Sequence, residues 1–179
     1  MNLIETFQNL VAQVPELVQP LIVALAGAVP FIEGEGAAAI GIIGGIHPAI
    51  AAAAGAIGNF LCVAALVLLG SGTRRAIVTR HRERVAVAAG GGAITEGGTA
   101  VAAPAASPRR EKFQRALVRY GVPGVSLLGP LLLPTQFTAT MLAAAGVGRA
   151  RILFWQGIAI VGWTTLITLA LTGIISIAS

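Results

Sequence analysis

Between residues 36 and 73 the chain carries no Asp, Glu, Lys or Arg, and the same is true of 121–148 and 152–179. Charge-free apolar runs of about 18 residues or more are long enough to cross a bilayer. Only 11% of the residues are charged and 56% are hydrophobic, whereas ordinary soluble domains are about 25% charged. The expected class is an all-α integral membrane protein.

Span lengths set the expected architecture. Segments 49–70 and 152–177 suffice for a transmembrane helix each, but 17–32 and 37–46 fall short of the roughly 20 residues that a crossing needs. These two short pieces read better as one re-entrant hairpin over 17–47, with its tip near Pro30. A second hairpin is expected over 121–148, where Pro123, Pro130 and Pro134 break the helix. The rival arrangement makes 17–32 a full crossing and puts Glu33 and Glu35 in a cytoplasmic loop. It leaves 37–46 too short for any role of its own.

The remaining segments fit around these. Leu3, Ile4, Phe7, Leu10, Val11 and Val14 recur at helical spacing with no basic residue among them, which reads as a surface helix over 2–16 rather than a secretory signal. Net charge is +5, and of the twelve Lys and Arg all but Arg149 and Arg151 lie between Arg74 and Arg119. Basic loops stay in the cytoplasm. The charge therefore signals topology, with residues 71–120 cytoplasmic and the N-terminus outside, and no nucleic-acid partner is expected. Residues 75–108, Gly- and Ala-rich from 85 onward, read as a flexible cytoplasmic linker. Residues 109–120 read as a basic amphipathic helix lying on anionic lipid. The single cysteine, Cys62, excludes an intramolecular disulfide.

The linker separates two similar halves, 1–74 and 109–179. "ETFQ" at 5–8 is echoed by "EKFQ" at 111–114, and Pro30 by Pro130. Each half has an amphipathic helix, a broken apolar hairpin and one clean span, inserted in opposite senses: an inverted repeat.

The residues able to carry chemistry cluster at the two breaks. An ionised carboxylate at the bilayer centre costs roughly 2.5–3.5 kcal/mol on insertion scales, and intramembrane acids mark functional sites. Gly34 and Gly36 permit extended backbone, in which residues two apart point the same way. Glu33 and Glu35 are therefore expected to converge and to take up and release a proton. The plainer alternative has Glu35 capping a half-helix that starts near Gly36. In the second half Thr135, Gln136 and Thr138 are polar at the equivalent place, and a helix beginning there would offer its N-terminus to an anion; alternatively the threonines bond back to their own helix. Arg149 and Arg151 are expected as interface anchors or as contacts to lipid headgroup phosphates. Asn59 and Gln156 are lone polar residues within the spans, and Asn59, on a face of small residues, reads as a polar contact between helices. No HExxH, G-x-S-x-G or P-loop pattern and no His/Cys cluster is present, so neither an enzyme nor a metal or cofactor site is expected.

"PFIEGEGAAAIGIIGGIHPAIAAAAGAIGN" (30–59) resembles the signature of the bacterial small multidrug export proteins. "GPLLLPTQFTATMLAAAGVGRARILFWQGIAIVGW" (129–163) resembles their second half, and both are similar to the broader DedA (VTT) superfamily. The resemblance implies paired re-entrant hairpins, a transport role and, by position, Glu33 and Glu35 as the acidic part of the first hairpin. In DedA relatives it implies translocation of phosphorylated lipid carriers such as undecaprenyl phosphate, often coupled to protons. DedA proteins commonly carry an arginine near the second Pro motif, where this chain reads Thr135-Gln136-Phe137. The expected function is a proton-coupled transporter of a small amphipathic or lipid-linked substrate in the bacterial inner membrane, shielded as a homodimer or higher oligomer. The alternatives are an undecaprenyl-phosphate-type translocase and a non-transporting membrane scaffold.

Overall fold

The structure is a computed structural model that describes residues 2–88 and 108–178. Among the described residues it is all-helical. In the first half α1 spans Leu3–Gln13, α2 Gln19–Gly27, α3 Glu33–Ile43 and α4 Pro48–Ala88. In the second, α5 spans Pro108–Leu128, a 3-10 turn covers Gly129–Leu131, α6 spans Thr135–Ala144 and α7 Arg149–Ala178.

Local chemistry explains where these helices begin and end. Helix α1 opens on a capping box: the Asn2 side chain accepts from the Glu5 N–H at 2.9 Å, and the Glu5 carboxylate accepts from the Asn2 N–H at 3.0 Å. Helix α5 is two helical pieces merged across Gly121, whose φ of 67° lies in the left-handed region. The basic amphipathic piece expected over 109–120 is thereby separated from the apolar piece that starts the second hairpin.

Helix α4 continues to Ala88, beyond residue 75, where the sequence suggested a linker. The Arg-rich stretch is unbroken by Pro, and Arg and Ala are good helix formers, so the helix simply runs on. The rest of the expected linker, 89–107, lies outside the described residues.

Helices α2, α3 and α6 have 9, 11 and 10 residues, so at 1.5 Å per residue they reach only about 14–17 Å. Two segments, Pro48–Gly70 of 23 residues and Arg149–Ile177 of 29, are long and apolar enough to cross a membrane.

The two halves share a turn. Gly45 has φ +88° and Gly146 φ +87°. Ile46 N–H bonds to Gly41 O, and Val147 N–H to Leu142 O, both in the pattern that closes a helix on a left-handed glycine. Each turn leads directly into a long helix, at Pro48 and at Arg149.

Two apolar clusters hold the halves. One joins Val11, Val23, Ala26, Ile40 and Ala51; the other joins Val63, Val67, Val125, Leu142 and Ile160. Helix α4 supplies side chains to both. Its first half packs against α2 and α3 through small residues, so the backbones meet almost directly. A Cβ on Gly58 would collide with the Ala24 carbonyl, and one on Gly55 would stand 2.7 Å from Gly34 O. Small residues at these positions let the helix backbones approach closely.

Gly58→Ala is therefore expected to destabilise the fold by about 1–3 kcal/mol, the usual cost of overpacking. Gly70→Ala, where an added Cβ meets nothing within 4 Å, should be neutral or slightly stabilising. Thermal unfolding of the detergent-solubilised variants measures the difference.

Candidate functional site

The break between α2 and α3 is made by two non-glycine residues in the left-handed region, Phe31 (φ 72°) and Glu33 (φ 55°). Such residues cost about 1–3 kcal/mol each and persist only where the surroundings demand them. The Glu33 N–H is held by Val29 O at 3.1 Å and the Gly36 N–H by Ile32 O at 2.9 Å, so the chain turns sharply and enters α3 at once. The result is a buried Glu33 side chain, 7% exposed, pointing into the protein. Phe31, 81% exposed, faces outward with its ring 6.2 Å from that of Phe137.

The matching break in the second half lies directly opposite. Pro134 has extended backbone and carries no side-chain cap for α6. The missing cap comes from Glu33, more than a hundred residues away. Its Oε1 accepts a hydrogen bond from the Thr135 backbone N–H, and the Thr135 hydroxyl lies 2.6 Å from the same oxygen. A carboxylate at a helix N-terminus satisfies a donor that has no partner within the helix and meets the positive end of the helix dipole. The N-terminus of α6 faces the protein's own Glu33 carboxyl group.

Helix α4 adds the third side. Asn59 Oδ1 stands 3.0 Å from the Thr135 hydroxyl oxygen and accepts from Gln136 Nε2 at 3.2 Å. Glu33, Asn59, Thr135 and Gln136 are all buried and form one hydrogen-bonded group drawn from α3, α4 and α6. Behind it, Thr164 of α7 rests its hydroxyl against Gly34, where any Cβ would collide with it, and Ala56 closes the other side. Gly34 is thus required for α7 to approach the Glu33 turn.

Of the residues singled out in the sequence, Glu33, Thr135 and Gln136 come together. Glu35 does not join them. The extended backbone expected around it is replaced by the first turn of α3, and Glu35 sits half-buried outside the hydrogen-bonded group. Thr138 is buried one turn along α6, and its hydroxyl bonds back to Pro134 O at 3.4 Å. Arg149 and Arg151 are exposed in the first turn of α7, away from the cluster. Asn59 is a contact between helices, as expected, but one made inside the site. Thr164 gave no signal in the sequence, because α7 carries several threonines and only the fold distinguishes them.

A cavity of about 430 Å³ lies between α5, the 3-10 turn and α6, and none of the four clustered residues lines it. Its walls include Phe113, Val125, Leu128 and Leu132, with Lys112 at its rim and Thr138 in its lining. Among the described residues no group of three or more His, Cys, Asp or Glu could hold a metal ion. No protein-family model matches the chain, and no curated protein or solved structure matches it.

Removing a partner from a buried, hydrogen-bonded carboxylate leaves it under-satisfied, at a cost of about 1–3 kcal/mol. Thr135→Val, nearly isosteric, is expected to lower stability by that amount. Thr138→Val, which loses only a long bond to its own helix, should change it by less. Equilibrium or thermal unfolding of the two variants side by side measures this.

Proposed function

We propose that the chain is a membrane transporter in which Glu33 carries a proton at the meeting point of two re-entrant hairpins. The observation that supports this reading is the buried Glu33 carboxylate, which sits at the break of one short helical hairpin and is held by the backbone N–H and hydroxyl of Thr135 at the break of the other, with Asn59 of α4 behind Thr135. Its surroundings are inverted relative to a soluble protein. Leu17, Phe31, Val118, Leu132 and Ile177 are largely exposed while Glu33, Asn59, Gln136 and Gln156 are buried. Apolar side chains outside and polar ones inside suit a chain bathed in lipid, where ionisable groups face the interior and mark the transport path. The short helices α2, α3 and α6 then dip into the bilayer from opposite faces without crossing it. In this arrangement the Arg-rich region is cytoplasmic and the N-terminus external, in the manner of the small multidrug export and DedA-like proteins that residues 30–59 and 129–163 resemble.

The cluster supplies two proton arrangements. A hydroxyl has one proton to donate. With Glu33 ionised, the Thr135 hydroxyl donates to Oε1, and Asn59 Oδ1 is served by Gln136. With Glu33 protonated, the acid donates to the Thr135 oxygen, whose own proton turns to Asn59 Oδ1. Uptake of a proton therefore rewires the contact between the halves at a single atom.

The cavity against α5 supports a substrate class, its Thr138 lying one turn along α6 from Thr135. Apolar walls with a lone cation at the rim accept an amphipathic molecule, and an anionic lipid headgroup with its chain in the groove is the second reading that this cavity favours.

Proteoliposomes given a proton gradient test the proposal, with ethidium and a fluorescent anionic phospholipid as alternative probes. The wild-type protein is expected to move one of them, Glu33→Gln to lose gradient-driven movement, and Glu35→Gln to retain most of it. Full activity in Glu33→Gln would overturn the mechanism.

A further inference from the structure

Six buried side-chain polar atoms among the described residues have no hydrogen-bond partner, and four of them lie on α7: Gln156 Nε2 and Oε1, Thr164 Oγ1 and Thr168 Oγ1. The others are Asn59 Nδ2 and Ser126 Oγ. Steps of four residues along a helix return to nearly the same face. Gln156, Ile160, Thr164 and Thr168 therefore form a ridge that winds about 40° around α7 at each step, and all four are buried. A buried polar atom without a partner costs about 1–3 kcal/mol, so a chain that keeps several on one face has an occupant for them.

The chemistry of the ridge identifies that occupant. Amide N–H donors stand beside amide and hydroxyl oxygens, with no net charge among them. Water both donates and accepts and is the usual partner of buried neutral groups that do the same. The ridge also leads to the site. Thr164 rests on Gly34, next to Glu33. Ile160 interrupts the ridge: it is 1% exposed and belongs to the apolar cluster that includes Val63 and Ala139. Apolar constrictions in polar passages gate by excluding water.

We propose that this face of α7 lines a water-holding passage to the Glu33 cluster, with Ile160 as its dry constriction. The inference rests on the proton role given to Glu33 above, and it assigns the route by which the proton arrives. The passage conducts only when Ile160 moves aside, so the resting protein does not leak.

Passive proton permeability of proteoliposomes loaded with pyranine tests this, after an external acid step and without substrate. Ile160→Ala is expected to raise the permeability several-fold over the wild type. Gln156→Leu in the same chain should return it to the wild-type level, since a polar station is then lost. Val23→Ala, a similar truncation in the other apolar cluster, should leave permeability unchanged. If Ile160→Ala does not fold, Ile160→Thr makes the same comparison. No rise at position 160, an equal rise in Val23→Ala, or a rise that Gln156→Leu fails to suppress would overturn the passage. The two ideas fail separately. A leaky Ile160→Ala beside a fully active Glu33→Gln keeps the passage and removes the carboxylate mechanism; a tight Ile160→Ala beside an inactive Glu33→Gln does the reverse.

Discussion

The bond between the Glu33 carboxylate and the N-terminus of α6 is the polar contact that joins the breaks of the two halves, beside the apolar cluster through which α4 packs on α6 and α7. Helices α2, α3 and α6 are too short to be stable alone; helices under about 12–15 residues are marginal in water without tertiary support. The turn that aims Glu33 places Phe31 and Glu33 in the left-handed region, an unfavourable local choice. Several compensations offset it. Helix α6 gains the cap that Pro134 lacks, the Thr135 hydroxyl and N–H find an acceptor, and Asn59 ties the pair to α4. Local strain and long-range satisfaction are thus two aspects of one arrangement.

Helix α4 carries that arrangement through both halves. Near its start, Ala51, Gly55 and Gly58 let α2 and α3 lie almost against its backbone. Further along, Val63 and Val67 pack into the second apolar cluster. Asn59 falls between these regions, where a polar side chain can be buried only if partners come to it. Partners come from α6, and Gly34 makes room for Thr164 from α7. The polar groups accordingly collect where the two apolar clusters leave a gap, and the outer surface is left to large apolar side chains.

Much of this plan was legible in the residues. Pro30 and Pro130, each within a short apolar stretch, marked both breaks; the long apolar runs marked the helices at Pro48–Gly70 and Arg149–Ile177; and the polar run after Pro134 marked the start of α6. What could not be read were contacts over long separations and departures from local rules. Glycines at 34 and 36 suggested extended backbone and a pair of converging acids. In the fold the unusual backbone falls instead on Phe31 and Glu33, residues with no intrinsic preference for it, and α3 starts at once, which sets Glu35 apart. Asn59 and Thr164 acquire their roles from packing alone. The Arg-rich segment after Gly70 resembled the start of a linker because its charge ends the apolar run, yet nothing in it stops a helix, and α4 continues to Ala88.

The central claim is that two hairpin tips lie within the lipid and bring Glu33 and Thr135 together there. Thiol accessibility at the tips tests it most directly, using Phe31→Cys and Leu132→Cys in a chain with Cys62→Ala. Both positions are strongly exposed on the protein surface. In sealed vesicles of either orientation, neither should react with a membrane-impermeant maleimide, and both should react once detergent dissolves the bilayer. Ready labelling of either position from an aqueous face of intact vesicles would contradict the account.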